Sequence, residues 1–476
     1  MLSTIRRLLA AAGAIAVIAG LPLSEAGAQT SGDWPTYLNN TARSGYNGAE
    51  TLITPSTASN LTQLWADPSG GAVSAEPVQD NGVVYYGSWD GYERAVDPAA
   101  GTQLWATYLG QSTDTSCASP LTLGVVNTPT VATITVNGAP TQAVFVGGGD
   151  GKFYALNAST GAVIWQTPLG APPDHVPWSS PLLSNGSIYE GVASSLDCPL
   201  VRGEVVQLDA ATGAVQNTLY TVPSGCIGAG VWGSPTVDSA TGDLYFATGN
   251  AASCGSPEPL AIALIETDSS LHVLSSWQVP SSQQPNTDSD FGSTPTLFTA
   301  TINGAVHQMI GLQNKNGIYY AFDRSAISAG PLWQRRMAGG GVCPECVNGH
   351  GADISPSAYN GQYLFVGSEK TTINGTTCAG SVRELRPSTG TVVWSACLHS
   401  GPVLGAVTAV PGWRSSARAT PRSRSTPAPA PCCGNTRMQT AGLTSGARRP
   451  SPTATPTSAT RTAPYTPSAP DRPGPR

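Results

Sequence analysis

Residues 155–165 read Ala155-Leu156-Asn157-Ala158-Ser159-Thr160-Gly161-Ala162-Val163-Ile164-Trp165. Apolar residues lead up to an Asn, Thr-Gly follows, and a second apolar run closes on an aromatic. Asn and Thr supply side-chain hydrogen bonds to the turn and Gly accepts a positive φ, so the stretch predicts two strands joined by a tight turn. Variants stand at 95–105, 207–213, 321–333 and 384–394. Upstream of most copies lies another hairpin, as at 75–78, Asn81-Gly82 and 83–91, which makes four short strands per unit. One small sheet cannot bury both faces alone. Four-stranded units recurring at roughly 55 residues therefore predict an all-β propeller, with the sheets stacked around an axis.

The composition fits many short strands and turns: 11% of the 476 residues are charged, and there are 54 Gly and 40 Pro. Residues 1–28 carry Arg6-Arg7, an apolar run from Leu8 to Leu23 and Ala26-Gly27-Ala28. That layout is a secretory signal with cleavage before Gln29. The run is short for a membrane span, and no Cys follows the cleavage point to take a lipid. The expectation is a secreted or periplasmic protein with no membrane span after cleavage. Between Gln29 and Val410 there are 27 acidic and 11 basic side chains, a net charge of −16, which argues against nucleic acid as a partner. The same stretch holds eight cysteines, Cys117, Cys198, Cys226, Cys254, Cys343, Cys346, Cys378 and Cys397. An even number in an exported chain points to disulfides, in any of about 105 pairings. Cys343-Pro-Glu-Cys346 is read as a loop staple, since no second such pair and no following His support a metal or haem site.

Taken in order, an ordered lead-in from Trp34 to Gly48 precedes 61–65, Leu-Thr-Gln-Leu-Trp, which has the spacing of an outer strand but no hairpin before it. Closed rings are often sealed by a strand borrowed from the other terminus, and 61–65 is read that way. Blades are expected at about 74–105, 119–165, 178–219, 233–277, 292–333 and 353–394, with 405–410 opening a seventh. The character changes at Gly412. The last 65 residues hold ten Arg, no Lys, one acid (Asp471) and long Pro, Ser, Thr and Ala runs. A disordered Pro-rich tail is one reading. The other is a slipped reading frame: Pro431-Cys432-Cys433-Gly434 can be encoded so that the shifted frame reads Val-Leu-Trp, and 461–471 so that it reads as a final strand. The division is then a signal at 1–28, a propeller at 29–410 and a low-complexity tail at 411–476, with the ring incomplete at its C-terminal end.

The repeats closely resemble the quinoprotein propeller, the eight-bladed fold of dehydrogenases that use pyrroloquinoline quinone (PQQ), over about 34–410; the lead-in is similar to that of polyvinyl-alcohol-dehydrogenase-like members. Gly230-Val231-Trp232-Gly233-Ser234-Pro235 and Thr248-Gly249-Asn250 are similar to the stretch in which those enzymes place a Trp under the quinone and an Asn on Ca²⁺. The resemblance implies Trp232 as floor and Asn250 as metal ligand, roles that suit an aromatic stacking surface and an oxygen donor. Taken without the resemblance, Trp232 would be packing between blades and Asn250 a turn residue. Asp288-Ser289-Asp290 lies where the family carries an Asp-x-Asp whose first Asp is the base, with Asp290 as its structural partner. A solvated turn is the plain alternative there. Asn314-Lys315-Asn316-Gly317 resembles the segment whose cation contacts the quinone oxygens, and Lys315 is one of three lysines. Two features depart from the pattern. No Glu precedes Arg202-Gly203 at the family's metal register, Asp197 being close at one residue's offset, and a lone Cys117 stands near the place of the family's Cys-Cys pair.

Two functions follow as expectations. One is a PQQ- and Ca²⁺-dependent oxidation of an alcohol, small or polymeric, with this chain inactive because its ring is incomplete. The other is a non-catalytic propeller binding a protein or glycan.

Overall fold

The structure is a computed structural model that describes residues 32–116, 120–195, 197, 199–285, 288–341 and 353–412. Among these residues six four-stranded antiparallel meanders follow one another. The first comprises Val78–Asp80, Val83–Gly87, Tyr92–Val96 and Gln103–Tyr108. The others span residues 130–168, 182–220, 236–278, 296–336 and 358–398, with His175–Pro177 added to the third. They are called blades one to six, close to the expected units. The signal, the tail beyond 412, and Cys117, Cys198, Cys343 and Cys346 lie outside the described residues. Cys226–Cys254 and Cys378–Cys397 are disulfides.

The turn that defines the repeat forms as its residues require. Asn157 Oδ1 accepts the Ser159 and Thr160 amides at 3.0 and 3.1 Å, and Gly161 follows at φ 70°. Its second role lies between blades. Trp105, on the outer strand of blade one, donates its indole N–H to Ala158 O at 2.8 Å, with its ring against Gly161, where a Cβ would come within 2.7 Å of it. Trp165 repeats the bond to Ala210 O at 3.1 Å and Trp333 to Pro387 O at 2.8 Å. Each Trp thus latches one blade to the turn of the next, a use of the indole N–H that leaves no buried donor unpaired. Two expectations change in detail. The copy at 321–333 turns through a 3₁₀ segment, Arg324–Ala329, in place of a tight turn. The 61–65 stretch is not a strand, and Leu61 and Leu64 are exposed. Trp65 nevertheless latches onto Pro98 O at 2.7 Å, the position an outer strand of a preceding blade would give it.

Burial on both faces is visible within single strands. Along Leu244–Ala247 every residue is buried, but Leu244 and Phe246 join a cluster with Leu182, Tyr189 and Val205 of blade three, whereas Tyr245 and Ala247 join one with Ile310, Leu312 and Tyr320 of blade five. Alternate side chains point to opposite faces, so one strand serves two cores. The hydrophobic core is accordingly a series of clusters between neighbouring sheets.

The first strands of the blades are innermost, and the lead-in runs across them. Gln79, Val131, Val237, Leu297 and Tyr359 donate backbone N–H groups to carbonyls of residues 34, 35, 41, 42 and 44 at 2.7–3.1 Å. Blade three is reached by Arg43, which is fully buried: its guanidinium donates to Pro235 O, Thr36 Oγ1, Tyr37 O, Ser180 O and Pro181 O. All five guanidinium donors of the side chain are used. The start of the expected seventh unit meets the same segment, through a bridge between Tyr46 and Ala409.

Candidate functional site

Two loops meet beside the fourth and fifth blades. Asp288-Ser289-Asp290-Phe291-Gly292 enters the innermost strand of blade five, and Asn314-Lys315-Asn316-Gly317 joins the next two strands of the same blade. The second loop is a short turn between Ala305–Asn314 and Ile318–Asp323, with Gly317 at φ 83° and no room for a Cβ beside Ala338 O, 2.5 Å away. Asn314 is buried, donates to Ser289 O at 2.7 Å and accepts from Asn316 N at 2.9 Å, which holds the loops together.

Asp290 is the hub. Its carboxylate accepts from Asn250 N at 2.6 Å and from Lys315 Nζ at 2.8 Å, and its carbonyl accepts from Lys315 N at 2.9 Å. Gly249 makes the approach possible, because a Cβ there would sit 3.3 Å from the Asp290 carboxyl. Asp288 is the second partner of Lys315 Nζ, whose side chain is 7% exposed. Burial would lower the Lys315 pKa, but the charges of Asp290 and Asp288 outweigh it, and the ammonium is held above its ordinary range. Lys315 Nζ also lies 5.1 Å from the centre of the Trp232 indole. That indole rests on Gly292, where a Cβ would come within 1.9 Å of the ring.

The Asp288 carboxyl is pushed up to about 6, first by burial and then by Asp290 and Asp197, with Lys315 opposing. Asp197 follows the second strand of blade three. It is exposed as a residue, and burial of its carboxyl and Asp290 raise its pKa, while Lys315 and the Asn250 side chain lower it. Asp197 and Asn250 each stand three residues past the end of the second strand of their blade, after Ser194 and Ala247. The structure therefore gathers all five residues singled out in the sequence, Trp232, Asn250, Asp197, Asp288 and Lys315, around the Asp290 carboxylate. The position before Arg202-Gly203 is taken by Val201, and Arg202 turns away to cover the Tyr220 ring at 3.9 Å. What sequence reasoning underrated is Asp290, the most connected group. Its signal was present in the two-residue spacing from Asp288, which places alternate residues of an extended chain on one side.

The loop bearing Asn250 is braced separately. Ile227–Gly228 pairs with Ala251–Ala252, Ala229 N donates to Asn250 O at 2.6 Å, and Cys226–Cys254 closes the end of this small ladder.

Residues 39–189 and 90–255 match the family model described as outer membrane protein assembly factor BamB, a model of PQQ-like repeats. The fold is similar to the quinohemoprotein alcohol dehydrogenase ADHIIG of Pseudomonas putida, with TM-score 0.62 and 17% identity, covering 79% of this chain and 68% of that one. It is equally similar to a europium-containing methanol dehydrogenase, with TM-score 0.62 and 17% identity over 81% of each chain. The fold is that of the quinoprotein-type β-propellers. In sequence this propeller is 24% identical over 328 residues to a polyvinylalcohol dehydrogenase of a Pseudomonas species, covering 60% of the chain and 48% of that protein. It is 24% identical over 387 residues to the dehydrogenase subunit of the quinone alcohol dehydrogenase of Gluconobacter oxydans, covering 67% and 48%. The propeller thus spans about half the length of the curated relatives it matches. Among the described residues no helix is long and apolar enough to cross a membrane.

Asp197, Asp288 and Asp290 are donors of the type a hard divalent cation takes, although their oxygens do not all lie within 4.8 Å of one another. With all three carboxylates ionised, Asp197, Asp288 and Asp290 carry three negative charges against one positive charge on Lys315, a local excess that a divalent ion would neutralise. The half-exposed Trp232 ring provides a flat aromatic surface beside them.

Proposed function

We propose that the chain is an exported propeller of PQQ- and Ca²⁺-dependent alcohol dehydrogenase descent, acting on a small or polymeric alcohol. The observation that carries this reading is the convergence on one ammonium, Lys315, of two carboxylates from one loop and an indole from another. PQQ, when bound, supplies the two-electron acceptor for hydride from the alcohol carbon, and Ca²⁺ supplies a Lewis acid. Trp232 is the stacking surface. Asn250 and Asp197 contribute metal-binding oxygens. Asp288, raised toward neutrality, is matched to accept the hydroxyl proton, and Lys315 opposes negative charge developing on an oxygen near it. Asp290 positions both by fixing the Asn250 backbone and the Lys315 ammonium. The same reading takes the complete ring to be eight-bladed, with the Trp65 latch on Pro98 O belonging to its closing blade.

The test is titration of the purified protein with PQQ in the presence of Ca²⁺, followed by dye-linked oxidation of a panel of alcohols. Saturable binding that weakens by at least about tenfold in Asn250→Ala and Trp232→Ala supports the enzyme. In the same assay, turnover only after the frame is restored across 411–414 supports inactivity of the chain as written. A non-catalytic propeller binding a protein or glycan is the competing reading, favoured by the assembly-factor description of the matching family model. Absence of PQQ binding, or binding indifferent to both substitutions, decides for it.

A further inference from the structure

A cavity of about 620 Å³ opens between blades five and six, with a lining that shares no residue with the cluster around Asp290. Its lining contains three cations, Arg336, Lys370 and Arg383, three hydroxyls from Thr371, Thr372 and Thr377, and no described carboxylate. Such a lining is unexpected in a body whose residues 29–410 carry a net −16 and which has three lysines in all. None of the three cations makes an ion pair with a described acid; the ion pairs among the described residues lie elsewhere. The guanidiniums are instead anchored by neutral oxygens. Arg383, 7% exposed, donates to Met337 O at 2.6 Å and Thr371 Oγ1 at 2.9 Å, and Arg336 donates to Asn316 O at 3.1 Å and Ala338 O at 3.3 Å. A buried guanidinium held by neutral oxygens is fixed in direction, and no ion pair with a described acid takes up its remaining donors. Burial accordingly pulls the Arg383 pKa below its ordinary range. Asp353, whose charge Arg383 feels, is fully buried and itself pushed up to about 7 by burial and by Glu369, so it is a partial counter-charge at most. The volume falls within the roughly 300–1,000 Å³ of small-molecule sites.

We infer that this cavity is a binding site for a small oxyanionic ligand, a molecule bearing phosphate or several carboxylates, with Arg383 at its floor and Lys370 and Arg336 at its rim. A planar guanidinium pairs with such groups in bidentate fashion, the ammonium adds a point charge, and the hydroxyls of Thr372 and Thr377 complete the hydrogen bonds of the remaining oxygens, Thr371 being spent on Met337 O. The site is independent of PQQ and of the dehydrogenase reading.

The test is isothermal titration of the full chain at low salt with inorganic phosphate, with citrate and with uncharged glucose. One-to-one saturation by phosphate or citrate, none by glucose, weakening toward physiological salt, and an approximately tenfold loss in Arg383→Met and in Lys370→Met are expected. Saturation by phosphate alone names a phosphorylated ligand; saturation by citrate alone names a polycarboxylate. If Arg383→Met does not fold, the exposed rim variants Lys370→Met and Arg336→Met carry the test. Failure of both anions to saturate, or unchanged binding in the rim variants, overturns the inference.

Discussion

Lys315 is held between Asp288 and Asp290 with the Trp232 ring beside it, and the balance of these charges sets how Asp288 titrates. Its folded pKa, pushed up to about 6, lies above the ordinary value of 3.8, so Asp288 is protonated more readily in the folded chain and is fully ionised only above about 6. The sign for stability follows: this group favours the fold below the ordinary range and opposes it increasingly as pH rises from about 4 to 6. Because Lys315 opposes the shift, removing its charge moves the inflection further up. Carboxyl ¹³C titration of the metal-free protein, with Asp288 assigned through Asp288→Asn, should show an inflection near 6 that rises in Lys315→Met. An inflection near 4 in both proteins would contradict the charge arrangement described here.

At the scale of elements, the Asn250 loop depends on a ladder only two residues long on each side. A two-residue pairing is too small to persist alone, and the Cys226–Cys254 bridge, closing a separation of 28 residues, supplies the restraint. Chain-entropy arguments give such a bridge roughly 3–4 kcal/mol. Cys226→Ser with Cys254→Ser should therefore lower the urea midpoint by a corresponding amount. Limited proteolysis should then cut first within 248–262, the loop that carries Asn250. Cleavage elsewhere at the same rate as in the parent chain would show that the ladder holds without its bridge.

The whole molecule is tied at two radii. At the outside the Trp latches join blade one to two, two to three and five to six, and at the axis the lead-in joins the innermost strands. Arg43→Met removes five hydrogen bonds at the axis and leaves the carbonyls of Tyr37, Ser180, Pro181 and Pro235 without that partner. A loss of about 3–5 kcal/mol is expected, seen as a lower denaturant midpoint. Arg43→Lys should recover only part of it, because an ammonium has three donors where the site uses five. Full recovery by Lys would mean that charge, not donor geometry, holds the axis.

Much of this architecture is legible in one dimension because it is local. The Asn157 to Trp165 repeat encodes a turn through residues in hydrogen-bond reach of one another, and a hairpin's register follows from its turn, so the six sheets fall close to the expected spans. The site residues could be named from short motifs, since Asn250 and Lys315 each follow a strand end where the local pattern breaks, and Asp288 stands in an Asp-Ser-Asp between strands. Their meeting is not local: Lys315 and Asp290, 25 residues apart, are brought together by the folding of blade five, and Asn250, 40 residues from Asp290, reaches it only through the stacking of blades four and five. The same holds for Arg43. Nothing in its neighbours announces an axial arginine, because its acceptors are carbonyls up to 192 residues away that any sequence would carry. Backbone groups have no sequence signature, so the pinning of the ring by the lead-in, and the cations gathered between blades five and six, were decided by the tertiary structure alone.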